Sequence, residues 1–303
     1  MDCKFEFSPE RKLDHVSPTS MCVLSRCPRR FYWKYGRGLE TSGTHCALKF
    51  GEAIHSAVPW VLKGKFKEAL EAFDKVWGDT QGDDKRNRGR AQAMLLDFGR
   101  VMSPGKSIVE VIRPPESITT KESRVSEDEV FFGLDLGLPV PVVGRIDAVG
   151  EMVTTKDVWG VEYKTSSELS SRFVASFALT PQILTYALAL RTLLDRKVKG
   201  VIVVGLQTAK IKTDTLAMPI HVNDKALEDI VSWYKRWWRV YEEGLVSGKW
   251  DMELSACTPY SQYGTQGFVC EYQQLCMTDY PEELVGMFSV RDPHHLAGEE
   301  SEG

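Results

Sequence analysis

The chain has 303 residues, 43% of them apolar, and its 38 basic against 42 acidic side chains give a net charge of −4. That is enough apolar material for a real core in one large domain or two. The acidic balance excludes a globally basic nucleic-acid binder and leaves only local positive patches to be considered. There is no signal peptide and no long apolar span, so the seven cysteines point to a reducing, cytoplasmic interior rather than a disulfide framework. No P-loop and no internal repeat is present, which places any ATPase or helicase partner on a separate chain.

In chain order, residues 17–35 are expected to form one or two short helices, broken at Cys27-Pro28 because the residue before proline disfavours the helical region. Here and just beyond, Arg26, Arg29, Arg30, Lys34 and Arg37 are interleaved with Phe31, Tyr32 and Trp33. Two readings fit: aromatics that stack the bases of a single strand, or an amphipathic helix with core aromatics and solvated charges. Residues 46–103 are expected to be helical, interrupted by the charge-rich turn from Gly82 that carries Lys85, Arg86, Arg88 and Arg90. Pro59 falls inside the helix that carries His55 and removes a backbone donor, which predicts a kink. Residues 104–117 are a proline-rich connection, and 118–165 read as strands with an acidic turn at 126–129.

Within that strand region, Val140–Val149 and Val158–Thr165 are β-branched and aromatic enough to be neighbouring strands. Alternation puts Glu162 and Lys164 on one face and Val161, Tyr163 and Thr165 on the other. If Asp147 ends the adjacent strand on the first face, two carboxylates and an ammonium converge. Paired hard oxygen ligands suit Mg2+ or Mn2+, and a nearby lysine can orient water or neutralise a developing charge. The alternative is a surface ion pair between Glu162 and Lys164 on a half-exposed strand.

Residues 176–193 form the next expected helix, with Thr180 as N-cap and Pro181 at the first helical position. Gln182 and Tyr186 are then stacked one turn apart. Residues 199–207 are an apolar run short enough for a buried strand. From Asn223 to Leu245 the positions Leu227, Ile230, Val231, Tyr234, Trp237, Trp238 and Tyr241 recur at helical spacing, the pattern of a core face. Residues 291–303, acidic and small, are expected to be a disordered tail; its pair His294-His295 lacks further ligands.

The order Gly51-x-x-x-His55, Gly144-Arg-Ile-Asp147, Glu162-Tyr-Lys164, Gln182-x-x-x-Tyr186 resembles the RecB/AddB-type branch of the PD-(D/E)XK nuclease superfamily. The opening Ser17-Pro-Thr-Ser and Arg26-Cys-Pro-Arg-Arg-Phe-Tyr is similar to the way these nucleases begin, so the likeness spans about Ser17 to Cys276. It implies an α/β restriction-endonuclease-like core, a mixed central sheet flanked by helices, with a helical N-terminal elaboration and a C-terminal cysteine staple. In domain terms that is one nuclease domain over 1–290, with a helical part at 17–103, a catalytic core at 118–215, a long helix at 223–250 and a cysteine segment at 255–278.

By the same resemblance the activity is metal-assisted hydrolysis of DNA, as an exonuclease of recombination, repair or replication. Asp147, Glu162 and His55 would hold Mg2+ or Mn2+, Lys164 would assist, and Gln182 and Tyr186 would contact a free or single-stranded end. Cys257 and the Cys270-x5-Cys276 step are similar to the iron–sulfur staple of AddB-type nucleases and the CRISPR-adaptation exonucleases, with Cys27 in the place of their upstream ligand. Four thiolates suit a [4Fe–4S] cluster or Zn2+. The departure is the gap of twelve residues between Cys257 and Cys270, where the best-known members have two. Cys3, Cys22 and Cys46 are assigned to ordinary burial. Two rival classes stay open: an inactive DNA-binding or scaffold subunit that keeps the fold, and a zinc-stapled interaction module with ordinary surface acids.

Overall fold

The computed structural model describes residues 11–41, 46–114, 123–126, 129–194, 196–257 and 269–291. The expected tail from residue 292, the middle of the acidic turn, Cys3 and most of the gap between Cys257 and Cys270 lie outside the described residues. The chain divides into two compact units, residues 44–133 with 144–228, and residues 1–43 with 134–143 and 229–303.

The first of these is built on a sheet whose inner strands fall where the sequence reads as strand, while one edge strand, residues 109–112, lies inside the stretch 104–117 that reads as a proline-rich connection and forms only by pairing with a distant strand. It begins with three helices, α1 Cys46–Leu62, α2 Phe66–Trp77 and α3 Arg88–Val101. Helix α1 is continuous across Pro59, and α3 starts at Asn87, whose side chain accepts from the Arg90 N–H and so satisfies an orphan helix donor. The main sheet comprises β1 Val109–Ile112, β2 Ala148–Met152, β3 Val158–Ser166, β4 Val198–Gln207 and β5 Thr215–His221, hydrogen-bonded in that order. β3 and β4 run parallel while the other pairs are antiparallel, so the sheet is mixed. A parallel pair requires a crossover, supplied here by α4 Ser171–Ala175 and α5 Pro181–Leu193.

β3 is buried over its first six residues and β4 along nearly its whole length, which is why both read as apolar runs. One face of the sheet, with Trp159, Val161 and Tyr163 of β3 and Ile202, Val204 and Leu206 of β4, packs with Phe50, Ile54, Phe73, Leu95 and Phe98 of the three opening helices. Each such side chain, fully buried, is worth roughly 1.5–3 kcal/mol. The opposite face of β3 meets α5: a Cβ on Gly160 would lie 3.0 Å from Leu190 Cδ1. A smaller sheet pairs β6 Arg124–Ser126, β7 Glu129–Leu134 and β8 Val142–Ile146 in that order. Gly144 of β8 is required by close approach, since a Cβ there would come within 2.5 Å of the Phe132 ring.

The other unit joins the two ends of the sequence. α6 Pro18–Arg26 opens with a capping box between Ser17 and Ser20, and α7 Pro28–Phe31 follows directly, leading into a π-turn at Tyr32–Gly36. β9 Leu39–Thr41 pairs with β10 Phe288–Val290. The short helices α8 Leu254–Cys257, α9 Gln273–Met277 and α10 Pro281–Leu284 also belong to it. The long helix α11 Asp224–Ser247 has its first turn in the other unit and buries Tyr234, Trp238 and Tyr241 here, as its periodicity predicts.

This unit decides between the two readings of the arginine-rich opening. Phe31, Tyr32 and Trp33 are 0%, 1% and 0% exposed, so they are core rather than a platform for bases. Phe31 packs against Tyr35 and Trp250 at ring-centroid distances of 4.9 and 6.0 Å. Three of the charges are engaged within the chain: Arg30 pairs with Glu271 at 2.9 Å, Arg37 with Glu282 at 2.6 Å, and Arg29 donates from Nε to the Trp250 carbonyl. Among the described residues no helix is long and apolar enough to cross a membrane.

Candidate active site

Asp147 stands at the bend between β8 and β2, one residue before Ala148, which pairs with Val161 of β3. The bend turns its carboxylate onto β3, where Oδ2 accepts the Tyr163 backbone N–H at 2.8 Å. Oδ1 lies 3.5 Å from His55 Nδ1 on α1. Glu162, 2% exposed, projects from the face of β3 opposite Tyr163 and pairs through Oε1 with Lys164 Nζ, its i+2 neighbour on that face. The surface ion pair that sequence left open would need an exposed glutamate, and this one is buried.

Helix α5 closes the site from its N-terminal end. Thr180 caps it by accepting the Ile183 N–H, and Pro181 occupies the first turn. At its second residue, Gln182 Nε2 donates to Glu162 Oε1 at 3.1 Å and to the Tyr186 hydroxyl at 2.9 Å. Tyr186 is 6% exposed and packs edge-on against Phe132 at 5.9 Å. The structure therefore gathers His55, Asp147, Glu162, Lys164, Gln182 and Tyr186 around one point of the sheet. These are the six residues that the sequence pattern singles out, whereas the bond from Gln182 to Glu162 and the Tyr163 backbone donor have no counterpart in the pattern. A side-chain bond between residues twenty apart leaves no local signature.

The two carboxylates titrate in opposite directions. For Glu162, burial, then the charge of Asp147, pushes the carboxyl up to about 7 against the pull of Lys164 and His55. For Asp147, burial acts against ionisation but is outweighed by His55, the Tyr163 N–H and Lys164, and the group is held below its ordinary value. His55 is raised: burial disfavours its charge, and Asp147 with Glu162 more than restores it. Burial first, then Glu162, raises the Tyr186 hydroxyl well above its ordinary range. Such divergent pairs cluster at functional sites.

Glu162 supplies a test of whether a cation fits. Its Oε2 is buried with no hydrogen-bond partner among the described residues. An unsatisfied buried carboxylate oxygen is costly, and a hard divalent cation satisfies it. Two carboxylates and an imidazole are the right donor chemistry. Among the described residues, however, no three His, Cys, Asp or Glu side chains are grouped closely enough to hold a metal ion as they stand. Each carboxylate instead turns to its own basic neighbour, Asp147 to His55 and Glu162 to Lys164.

The late cysteines belong to the unit built from the chain ends. Cys27 Sγ accepts backbone N–H bonds from Arg30 and Glu253, both at 3.4 Å. Burial raises the thiols of Cys257, Cys270 and Cys276, and neighbouring thiols add to it: Cys257 feels Cys27 and Cys276, Cys270 feels Cys257, and Cys276 feels Cys270 and Cys27. The four share one neighbourhood without standing at ligating distances. Cys22 and Cys46 are free and partly buried.

The sequence model of the PD-(D/E)XK nuclease superfamily matches residues 15–277. The chain belongs to this superfamily. Its members are nucleases, hydrolases of nucleic acids that typically use divalent metals such as Mg2+, and the mixed sheet flanked by helices is their core. A search of curated proteins finds no match. Among solved structures, the chain is similar to a “Putative exonuclease” from Eubacterium rectale, at 14% identity over 83% of this chain and 89% of that one, with a TM-score of 0.45. It is also similar to SSO0001, at 12% identity over 76% and 77% of the two chains, with a TM-score of 0.32.

Proposed function

We propose that this member of the superfamily is a divalent-metal-dependent DNA exonuclease of the RecB/AddB-type branch, acting in recombination, repair or replication. The observation that carries the reading is Glu162, a buried carboxylate beside Asp147 whose Oε1 is held by Lys164 and Gln182 while Oε2 has no hydrogen-bond partner among the described residues. Asp147 and Glu162 would hold Mg2+ or Mn2+, with His55 completing the set. The bound cation would supply an activated water and charge neutralisation at the phosphate. Lys164 would orient the attacking water or stabilise charge on the phosphoryl oxygens. Gln182 and Tyr186 would contact the nucleic-acid end, as the branch resemblance implies, while Gln182 fixes the Glu162 carboxylate.

The same reading includes a [4Fe–4S] cluster, or Zn2+, on Cys27, Cys257, Cys270 and Cys276, supported by the shared neighbourhood of the four thiols. Its role would be structural, tying residue 27 to the C-terminal segment. A helicase or other recombination protein would act as a separate chain.

The test is end-labelled single- and double-stranded DNA, with covalently closed circles as controls, in Mg2+ or Mn2+ and in chelator. Release of short products from ends only, abolished by chelator, is the expected result. Cutting of closed circles would make the protein an endonuclease. Binding without cleavage in either metal would make it an inactive scaffold.

A further inference from the structure

Leu179 combines exposure of a large apolar side chain with an unfavourable backbone conformation. It is 72% exposed, and its φ of +59° lies in the left-handed region, where a side chain with a Cβ is strained and glycine or asparagine is the ordinary occupant. It is the third residue of a turn closed by the Thr180 N–H to the Phe177 carbonyl at 3.3 Å. Thr180 Oγ1 donates to the same carbonyl at 3.2 Å and accepts the Ile183 N–H, locking the turn to the start of α5.

The ordinary structural explanation fails for this leucine. An apolar residue immediately before a helix N-cap commonly staples itself to the fourth helical residue. Here that residue is Leu184, 7% exposed, and the exposure of Leu179 shows that no staple covers it. The preceding aromatics do not shelter it either: Phe173 and Phe177 pair with each other at 4.9 Å, and Phe173 sits over Gly205 of β4. A strained, uncovered apolar side chain therefore stands three residues before Gln182, whose Nε2 is 3.1 Å from Glu162.

We propose that Leu179 is a substrate-positioning residue that packs its isobutyl group against the face of a nucleic-acid base adjoining the scissile phosphate. The inference rests on the nuclease reading and deepens it. Base faces are covered by stacking inside a duplex and open at an end or in a single strand, so a rigidly held apolar group at this place favours open ends. Strained residues of this kind occur at ligand clamps because the surroundings over-determine them.

Three variants test it: Leu179→Gly, which relieves the backbone; Leu179→Asn, which tolerates the same φ without the apolar group; and Leu179→Met, which keeps apolar reach. The readouts are melting temperature and steady-state cleavage of end-labelled single-stranded DNA. The Gly and Asn variants should melt at or above the wild-type temperature, raise KM about tenfold and leave kcat within about twofold. The Met variant should recover most of the KM. A merely structural role predicts the reverse split, a lower melting temperature with unchanged KM. Unchanged KM in folded Gly and Asn variants of a protein whose wild type cuts DNA would overturn the inference alone, and a change of oligomeric state in place of KM would mark a protein contact instead. A wild type that cuts nothing in Mg2+ or Mn2+ would overturn the nuclease reading and this inference with it.

Discussion

Gln182 and Glu162 share a hydrogen bond of 3.1 Å from Nε2 to Oε1, and the second proton of that amide goes to the Tyr186 hydroxyl at 2.9 Å. With Lys164 also on Oε1, the carboxylate is fixed so that, among the described residues, its Oε2 is left without a protein partner. The helix α5 thus sets the rotation of a carboxylate on the adjacent strand, which links the Thr180 cap to the chemistry of the site.

The first prediction follows. Gln182→Ala frees the Glu162 carboxylate to rotate and should lower kcat by about tenfold or more, with metal affinity also reduced. Tyr186→Phe removes only the outer partner of the amide, worth roughly 0.5–1.5 kcal/mol, and should have the smaller effect. Metal titration by calorimetry beside single-turnover cleavage separates the two. Equal losses in both variants, confined to DNA binding, would assign the pair to substrate contact only.

A second prediction concerns the groups at the centre. Asp147→Ala, Glu162→Ala and Lys164→Ala should each lower cleavage by about 100-fold or more while the protein keeps its circular-dichroism spectrum, because each removes an interaction the transition state needs. His55→Ala should lose less in Mn2+ than in Mg2+, since Mn2+ takes nitrogen ligands more readily. Robust cleavage by purified Glu162→Ala would reject the site.

Sequence made much of this legible because its signals are local. The apolar run of β3, the Thr180-Pro181 helix start and the aromatic period of α11 are read within a few residues, and each stands where alternation or capping puts it. The edge strands were not legible: β1 has four residues, and β5 carries Pro219 and alternating exposure, so neither has a strong pattern and both depend on pairing with distant residues. The Val140–Val149 run reads as one strand, yet it breaks at Asp147, because that residue satisfies a backbone donor on β3 instead of continuing the ladder. Nor does anything about a leucine in sequence announce a positive φ at Leu179.

The cysteines give a third prediction. If Cys27, Cys257, Cys270 and Cys276 hold one cluster, protein purified without oxygen should be brown and absorb in the sulfur-to-iron charge-transfer region, or be colourless and contain zinc. Alanine at any of the four should remove the chromophore or the zinc and lower solubility, while Cys22→Ala and Cys46→Ala should not. Elemental analysis decides between the metals, and protein free of both iron and zinc would reject the shared site.

The last prediction is a pH dependence with a definite sign. Burial and Asp147 raise Glu162 to about 7 in the folded chain, against 4.5 as its ordinary value. Between those values the folded state binds more protons than the unfolded state, so the contribution of Glu162 is complete below about pH 4.5 and is lost as pH rises through about 7. His55, also raised in the fold, has the same sign: its contribution is present below its ordinary value and lost as pH rises through the folded one. Asp147 has the opposite sign, being depressed, and its contribution is lost only as pH falls well into the acid range. Protein in chelator should therefore melt at a lower temperature near pH 8 than near pH 5.5. A divalent cation binds the ionised carboxylates of the folded state and should restore stability at the alkaline end, where the loss is greatest. Glu162→Gln, neutral at every pH, should flatten the slope and remove the response to metal. Melting curves in chelator, Mg2+ and Mn2+ across that range check the sign, and a wild type that grows more stable with rising pH in chelator would mean that the two buried carboxylates are not coupled in the way this geometry requires.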